Sequence, residues 1–289
     1  MNEQGRRLII VSGLSGSGKT VVLNTLEDQS IYCIDNLPVS LLDELARQLA
    51  NPAASFPGVV AIGIDARNPE HNLSTLPKSI ASLNRQNVKT ELVFMEANDD
   101  VLTERFSETR RKHPLSSRTV ALADAIAMER QILGILSEIA DLRIDTSHLL
   151  LHELRDLVRE RITRRPTGTL SLQFISFGYK HGIPRDADFV FDVRCLPNPY
   201  WKKTLRPYSG KDEPIIDFLK SQQTVTDMLD HLKYFLEIWV PRFEADNRSY
   251  LSIAIGCTGG QHRSVYMAEQ LAFFFRTKEI HATARHRDI

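Results

Sequence analysis

The chain has 289 residues, 42% hydrophobic and 25% charged, with 36 lysines and arginines balanced by 36 aspartates and glutamates. That length favours two cores, and the zero net charge excludes a global field drawing the chain onto nucleic acid or anionic lipid, so any such binding must come from local patches. Cys33, Cys195 and Cys257 form an odd set at no zinc-ligand spacing and no apolar run is long enough to span a bilayer, which excludes a disulfide framework, structural zinc and a membrane protein; a cytoplasmic location is expected.

In chain order, residues 8–12 (LIIVS) form a short apolar run that opens into Gly13-Leu14-Ser15-Gly16-Ser17-Gly18-Lys19-Thr20 and then an amphipathic stretch: strand, loop, helix. Every position fits G-x-x-x-x-G-K-[ST]. The glycines let successive amides turn inward toward phosphates, and a helix N-terminus adds partial positive charge. Lys19 would neutralise β- and γ-phosphates, and the Thr20 hydroxyl would ligate Mg²⁺, so a purine nucleoside triphosphate is the expected ligand.

Runs at 31–34, 59–64 and 91–95, separated by helical stretches, continue as strands of a parallel sheet, with 142–144 as its last strand. Asp35 ends the second run and Asp65-Ala66-Arg67-Asn68 follows the third, both at the strand edge where open α/β sheets bind ligands. Asp35 could hold magnesium or orient a nucleophile, or simply form a turn before Pro38. Residues 99–113 and 121–140 read as helices by period, and 149–165 as a basic amphipathic one. Arg105, Arg110 and Arg111 resemble the arginine-bearing lid of small-molecule kinases; a solvated face paired with Glu104 and Glu108 is the other reading.

Arg165-Pro-Thr-Gly-Thr169 stops that helix, and LSLQFISF begins a new pattern. The fold class is α/β: a kinase-like doubly wound parallel sheet over residues 1–166, and a second, smaller α/β domain over 167–289. The second half carries strands at 170–176, 188–193 and 250–256, a loop from Leu196 to Pro214, and helices near 223–239 and 264–277, with HATARHRDI as a last strand and tail.

Gly256-Cys-Thr-Gly-Gly-Gln-His-Arg263-Ser264 repeats the strand, glycine loop, helix logic and should hold phosphate or sulfate. Cys257 and Arg263-Ser264 also have the spacing of a Cys-dependent phosphatase, with Asp192 as its possible general acid. Lys180, His181, Arg185, Arg194 and Asn198 lie at strand ends or in loops and could converge on the same pocket. Lys202, Lys203 and Arg206 interleave with Tyr200, Trp201 and Tyr208 as a single-stranded RNA surface would; an ordinary exposed loop is the alternative.

Together GLSGSGKT, YCIDNLP, Asp65–Asn68, RRKHPLSS (110–117), DTS (145–147), SFGYKHGIP (176–184), FDVRCLPNP (191–199) and GCTGGQHRSVY (256–266) resemble the RNase adapter RapZ / YvcJ-type family of P-loop nucleotide-binding proteins, over nearly the whole chain. The resemblance implies ATP binding at Gly13–Thr20, GTP contact at Asp65–Asn68, and weak hydrolysis of both with Mg²⁺, Lys19 and Asp35 serving the chemistry. It further implies a tetrameric adapter that presents small regulatory RNA to an endoribonuclease and senses glucosamine-6-phosphate. The metabolite and RNA functions would fall on Lys180, His181, Arg194, Thr258, Gly259, His262 and Arg263. Tyr200 and Gln261 depart from the histidine and lysine of enteric relatives, and a lysine-rich tail does not follow HRDI. A small-molecule kinase with its acceptor near Asp35, or a Cys-dependent phosphatase, are the other readings.

Overall fold

The computed structural model describes residues 6–51, 57–86, 88–164, 169–246 and 248–289. The chain divides into two compact units, Met1–Arg164 and Arg165–Ile289; the boundary expected at Arg165–Thr169 falls mostly on residues outside the described ones.

The first unit runs β1 (Arg6–Gly13), α1 (Lys19–Glu27), β2 (Tyr32–Ile34), α2 (Leu42–Ala50), β3 (Val59–Gly63), α3 (Glu70–Leu73), α4 (Leu76–Arg85), β4 (Val88–Glu96), α5 (Asp99–Thr109), α6 (Leu122–Ile132), α7 (Gly134–Glu138), β5 (Leu142–Asp145) and α8 (Leu151–Val158). Its described strands form one parallel sheet ordered β2-β3-β1-β4-β5, with Val11 opposite Gly63 on one side and Val93 on the other. Strand alternation sends Leu8, Ile10, Val60, Ile62, Leu92 and Phe94 into one layer, where Leu42 and Leu49 of α2, Leu83 of α4 and Leu136 of α7 cover them. Because β1 has neighbours reached in opposite directions, the crevice at its C-terminal end is the topological switch point. The opposite pole is braced by Arg7, buried and donating to Glu91 (Nη2–Oε2 2.7 Å) and the Ile162 carbonyl (3.0 Å).

The second unit runs β6 (Ser171–Gly178), β7 (Phe189–Asp192), α9 (Glu213–Lys220), α10 (Gln223–Ala245), β8 (Tyr250–Cys257), α11 (Arg263–Thr277) and β9 (Ala282–His286). Its sheet is parallel too, ordered β7-β8-β6-β9. Phe174, Leu251, Ile253 and Ile255 bury against Leu232 and Leu236 of α10 and Met267, Leu271 and Phe275 of α11.

Four helices differ from the sequence reading. α5 stops at Thr109, not at His113, because Arg110 turns left-handed (φ 52°). The stretch expected as one helix over 121–140 breaks at Leu133–Gly134 into α6 and α7. The helix expected from Leu149 starts at Leu151, and its continuation Arg159–Thr163 widens to a π turn, with Arg164 N–H donating to the Arg159 carbonyl (2.9 Å). The loop expected through Pro214 ends earlier: Pro214 lies inside the first turn of α9, where its missing N–H costs nothing.

Candidate nucleotide-phosphate and anion sites

β1 ends at Gly13, where φ is 136° and a Cβ would lie 2.0 Å from the Met95 carbonyl oxygen, so no other residue lets the chain leave the strand here. Leu14 N–H donates to that same carbonyl (3.0 Å), and Ser17 binds the Leu14 carbonyl through its N–H (3.1 Å) and hydroxyl (2.6 Å). Lys19 opens α1 and folds back over the loop, its Nζ donating to the carbonyls of Gly13 (2.6 Å) and Leu14 (3.1 Å). Burial pushes its pKa down, opposed chiefly by the charge of Glu129 and then by Asp65. Thr20 is exposed in the first turn of α1.

The loop forms the floor of a cavity of about 670 Å³. Asp65 and Arg67 join Gly16–Thr20 on its polar side, and Arg105, Arg111 and Lys112 add three cations. Phe106 and Leu149, Leu150, Leu151 and Leu154 make an apolar wall. The stretch Asp65–Asn68 is therefore divided: Asp65 and Arg67 face the same cavity as the phosphate loop, while buried Asn68 accepts from Val39 N–H (2.8 Å) and, with buried Ala66, shapes the turn. Arg67 forks onto Asp65 (Nε–Oδ2 2.8 Å, Nη2–Oδ2 2.5 Å), and that bond raises the guanidinium pKa. Asp35 is exposed and does not line the cavity, though its charge reaches Lys19 and Arg67.

Arg105 lines the cavity but is already engaged there: it donates to the Gly16 carbonyl (3.0 Å), the Thr146 hydroxyl (2.9 Å) and the Thr146 carbonyl (2.8 Å), tying the phosphate loop to the turn after β5. Burial lowers its pKa. Arg110 lies outside the cavity lining, and Arg111 is on it. Beneath the loop, Glu129 of α6 is wholly buried and accepts from Ser15 N–H (2.8 Å), Ser15 Oγ (2.7 Å) and His113 Nε2 (3.1 Å).

Among the described residues no group of three or more His, Cys, Asp or Glu side chains is placed to hold a metal. Thr20, exposed in the first turn of α1, offers the cavity a hydroxyl of the oxygen type that Mg²⁺ takes. No helix among those residues is long and apolar enough to cross a membrane.

The second glycine loop is organised around buried side chains. Cys257 Sγ accepts from Gly260 N–H (3.2 Å) and lies 3.1 Å from the Ser264 hydroxyl. Gly260 has φ 75°, and a Cβ there would meet Asp288 Oδ2 at 2.6 Å, the carboxylate that also accepts from Gly178 N–H (2.6 Å). Buried Arg263 donates Nη1 to the carbonyls of Arg194 (2.8 Å) and Leu196 (2.9 Å) and Nη2 to Thr258 Oγ1 (3.3 Å). Arg263 Nε and His262 Nε2 are buried without hydrogen-bond partners among the described residues. Burial lowers the His262 pKa, against the pull of the Tyr208 and Arg206 carbonyls.

Of the polar set expected to converge here, Arg194 forks onto Asp192 (Nη2–Oδ2 2.7 Å) and lies over the Tyr179 ring at 4.0 Å, Lys180 N–H reaches the Thr258 carbonyl at 3.4 Å, and His181 and Thr258 are exposed, with Gly259 half-buried. Asn198 instead accepts from Tyr200 N–H (3.3 Å), and Arg185 is exposed. The Arg194 hydrogen bond holds Asp192 below the usual carboxylate range, the opposite of the upward shift that suits a general acid.

The RapZ-like N-terminal domain family matches residues 6–165, and the RapZ C-terminal domain family matches residues 170–289. The chain belongs to the RapZ family. A nucleotide-binding protein of Nitrosococcus oceani is 52% identical over 283 residues, covering 98% of this chain and 99% of that one, and a nucleotide-binding protein of Alkalilimnicola ehrlichii is 52% identical with 98% of each covered. Among solved structures, shikimate kinase from Bacteroides thetaiotaomicron is 16% identical with a TM-score of 0.36, covering 53% of this chain and 96% of its own, and a gluconokinase from Sinorhizobium meliloti is 18% identical with a TM-score of 0.35, covering 55% and 91%. Those two likenesses carry no argument about chemistry.

Sequence reasoning gives no role to Glu129, Thr146 or the Leu149–Leu154 wall, which this RapZ-family chain places around its phosphate loop. Glu129 does leave a signal: spaced three and four residues from Ile126 and Ala125, it is a carboxylate on the buried face of an amphipathic helix. Thr146 falls in the DTS stretch at 145–147, but its role is not legible there, because its hydroxyl is used by the Glu96 and Ser17 carbonyls, 50 and 129 residues away.

Proposed function

We propose that this chain is a cytoplasmic nucleotide-binding regulator in which residues 1–166 take up ATP or GTP with Mg²⁺ and residues 167–289 take up an amino-sugar phosphate such as glucosamine-6-phosphate and small regulatory RNA, within a tetrameric RNase adapter. The observation behind the nucleotide half is the cavity itself: a complete phosphate loop, a half-buried lysine and four further cations on one side, and leucines on the other, where a purine can lie. The relatives' description as nucleotide-binding proteins supports it. Bound Mg²⁺ would neutralise charge on the phosphates. Thr20 would ligate it, Lys19 would stabilise the γ-phosphoryl oxygens, and Asp35 would orient water. With Asp35 outside the cavity lining, hydrolysis is expected to be weak. A small-molecule kinase would place its acceptor near Asp35, which lies outside the cavity lining; this favours regulation over phosphoryl transfer.

In the second half, Thr258, Gly259, His262 and Arg263, with Lys180, His181 and Arg194, are the residues we assign to the sugar phosphate. For RNA, Trp201 is 76% exposed and Arg206 lies 4.7 Å over the Tyr200 ring, a stacking platform beside Lys202 and Lys203. Ultraviolet crosslinking and recovery of RNA from cells, comparing the native chain with a Lys202→Ala, Lys203→Ala, Arg206→Ala variant, tests the adapter role. Enrichment of a few small RNAs, lost in the variant, is the expected result; no enrichment over background would leave a nucleotide and metabolite sensor acting through proteins.

A further inference from the structure

We infer that His113 and Glu129 are positioning residues for nucleotide binding: they form a buried latch that fixes the Arg111–Lys112 edge of the cavity to the phosphate loop, so this cationic edge is preset and does not close as a mobile lid. The inference rests on the reading of the cavity as a nucleotide site.

Glu129 has both carboxylate oxygens engaged, Oε1 by the Ser15 hydroxyl and Oε2 by Ser15 N–H and by His113. Ser15 is the third residue of the phosphate loop, so α6 holds the loop's outer arm from beneath. The His113 ring is fixed in turn: Leu115 N–H donates to Nδ1 (3.1 Å), which leaves Nε2 as the protonated nitrogen facing Glu129. Its face packs on Phe106 at 5.1 Å between ring centroids, and its carbonyl accepts from Ser116 N–H (3.0 Å) and Oγ (2.8 Å). Both ends of the pair have side-chain exposure of 0%. Lys112 is joined to His113 by one peptide bond, which spans about 3.8 Å between Cα atoms, so pinning the ring limits where Lys112 and Arg111 can go. Both of those residues line the cavity.

A buried carboxylate is costly and survives only when hydrogen-bonded. This one lies behind an anion-binding loop, where its charge opposes the phosphates it helps to bind. Electrostatics alone therefore gives the wrong sign for its presence, whereas geometry gives the right one. Removing the charge while keeping the shape, by Glu129→Gln, separates the two: a purely electrostatic role predicts tighter nucleotide binding, the latch predicts weaker binding.

The test is calorimetric titration of the full chain with Mg-ATP. Glu129→Gln and His113→Phe are each expected to weaken binding about tenfold, because a buried donor or acceptor is left unmatched. His113→Gln, which keeps a donor near the Nε2 position, should restore most of it. In an Arg111→Ala, Lys112→Ala background His113→Phe should cost nothing further, since the edge it positions is gone. Tighter binding by Glu129→Gln, or an equal loss from His113→Phe in both backgrounds, would overturn the latch. Should His113→Phe fail to fold, hydrogen exchange on the native chain decides: the Ser116 amide slow without nucleotide supports the latch, and protection gained only on adding Mg-ATP sinks it. Unaltered Mg-ATP affinity in Lys19→Ala would instead refute the nucleotide-site reading itself.

Discussion

Gly13–Thr20 and Gly256–Ser264 both leave the C-terminal end of an interior parallel strand, turn at glycine with positive φ (Gly13, Gly16 and Gly18 in the first, Gly260 in the second) and enter a helix, yet each holds its cation differently. Lys19 bends over its own loop onto two carbonyls at the floor of a cavity of about 670 Å³. Arg263, 4% exposed, reaches away from its loop to the carbonyls of Arg194 and Leu196 and braces a neighbouring turn. A flexible ammonium with three rotatable donors can exchange its carbonyls for phosphate oxygens; a planar guanidinium already forked onto two backbone groups gives them up less readily. The same strand, loop, helix motif thus holds its cation over a cavity in one unit and, in the other, anchors it through Nη1 to neighbouring carbonyls with Nη2 on Thr258 of its own loop.

Lys19→Ala should show the largest effect. It removes the charge that meets the phosphates, and Mg-ATP and Mg-GTP affinity should fall at least about 100-fold, roughly 3 kcal/mol. Affinity within about threefold of the native chain would mean that the loop is not the phosphate site. Arg263→Met ranks next and should act on stability, not on nucleotide. It strips the Arg194 and Leu196 carbonyls of their donor, at a cost of about 2–4 kcal/mol. Both tryptophans, Trp201 and Trp239, lie in the second unit, so the urea midpoint of their fluorescence reads it directly. Arg263→Lys should recover only part, because one ammonium cannot hold both the two carbonyls that Nη1 holds and the Thr258 hydroxyl that Nη2 reaches. An unchanged midpoint in Arg263→Met would show that the two carbonyls do not depend on Arg263 and erase the contrast between the two loops.

A smaller effect sharpens the first loop alone. The resemblance assigns ATP to the phosphate loop and GTP to Asp65–Asn68, two distinct stretches of sequence, but Ser15–Thr20, Asp65 and Arg67 line one cavity. ATP and GTP are therefore expected to compete, and Arg67→Ala to weaken both about equally, by about threefold to tenfold, since Arg67 is exposed and already paired with Asp65. Saturable GTP binding in the presence of saturating ATP would require a second site.

How much of this was legible depended on the distance over which each cause acts. The β1, loop and α1 succession was readable because its glycines, lysine and apolar run determine local conformation within a dozen residues. The parallel strands were readable as apolar runs, and the strand order was not, because register is chosen by tertiary packing. Helix ends failed where one residue decides: Arg110 adopts a left-handed conformation, common for glycine but not arginine, and Pro214 punctuates a loop or starts a helix with equal ease. Arg105 was read from its neighbours Glu104 and Glu108, whereas its partners are Gly16 and Thr146, 89 and 41 residues away. Arg263 was legible as an anion-loop arginine by spacing, but the carbonyls that hold it lie 67 and 69 residues away.

The smallest expected effect compares cysteines. Cys33, on the edge strand β2 two residues before Asp35, is half-buried, and burial together with the charge of Glu27 pushes its thiol up to about 11. A raised thiol pKa means that the neutral form persists to higher pH, so the reactive thiolate is scarce at pH 8, by about two orders of magnitude against a thiol of pKa near 9. Iodoacetamide at pH 8, with modified residues read by mass spectrometry, should label exposed Cys195 first and Cys33 slowly, with the Cys33 rate still climbing up to pH 10. Cys257, buried and hydrogen-bonded to Gly260 and Ser264, should resist until the second unit unfolds. Rapid labelling of Cys257 in the folded chain would reveal an accessible sulfur in the second loop, and with it the nucleophile whose chemistry the low pKa of Asp192 argues against.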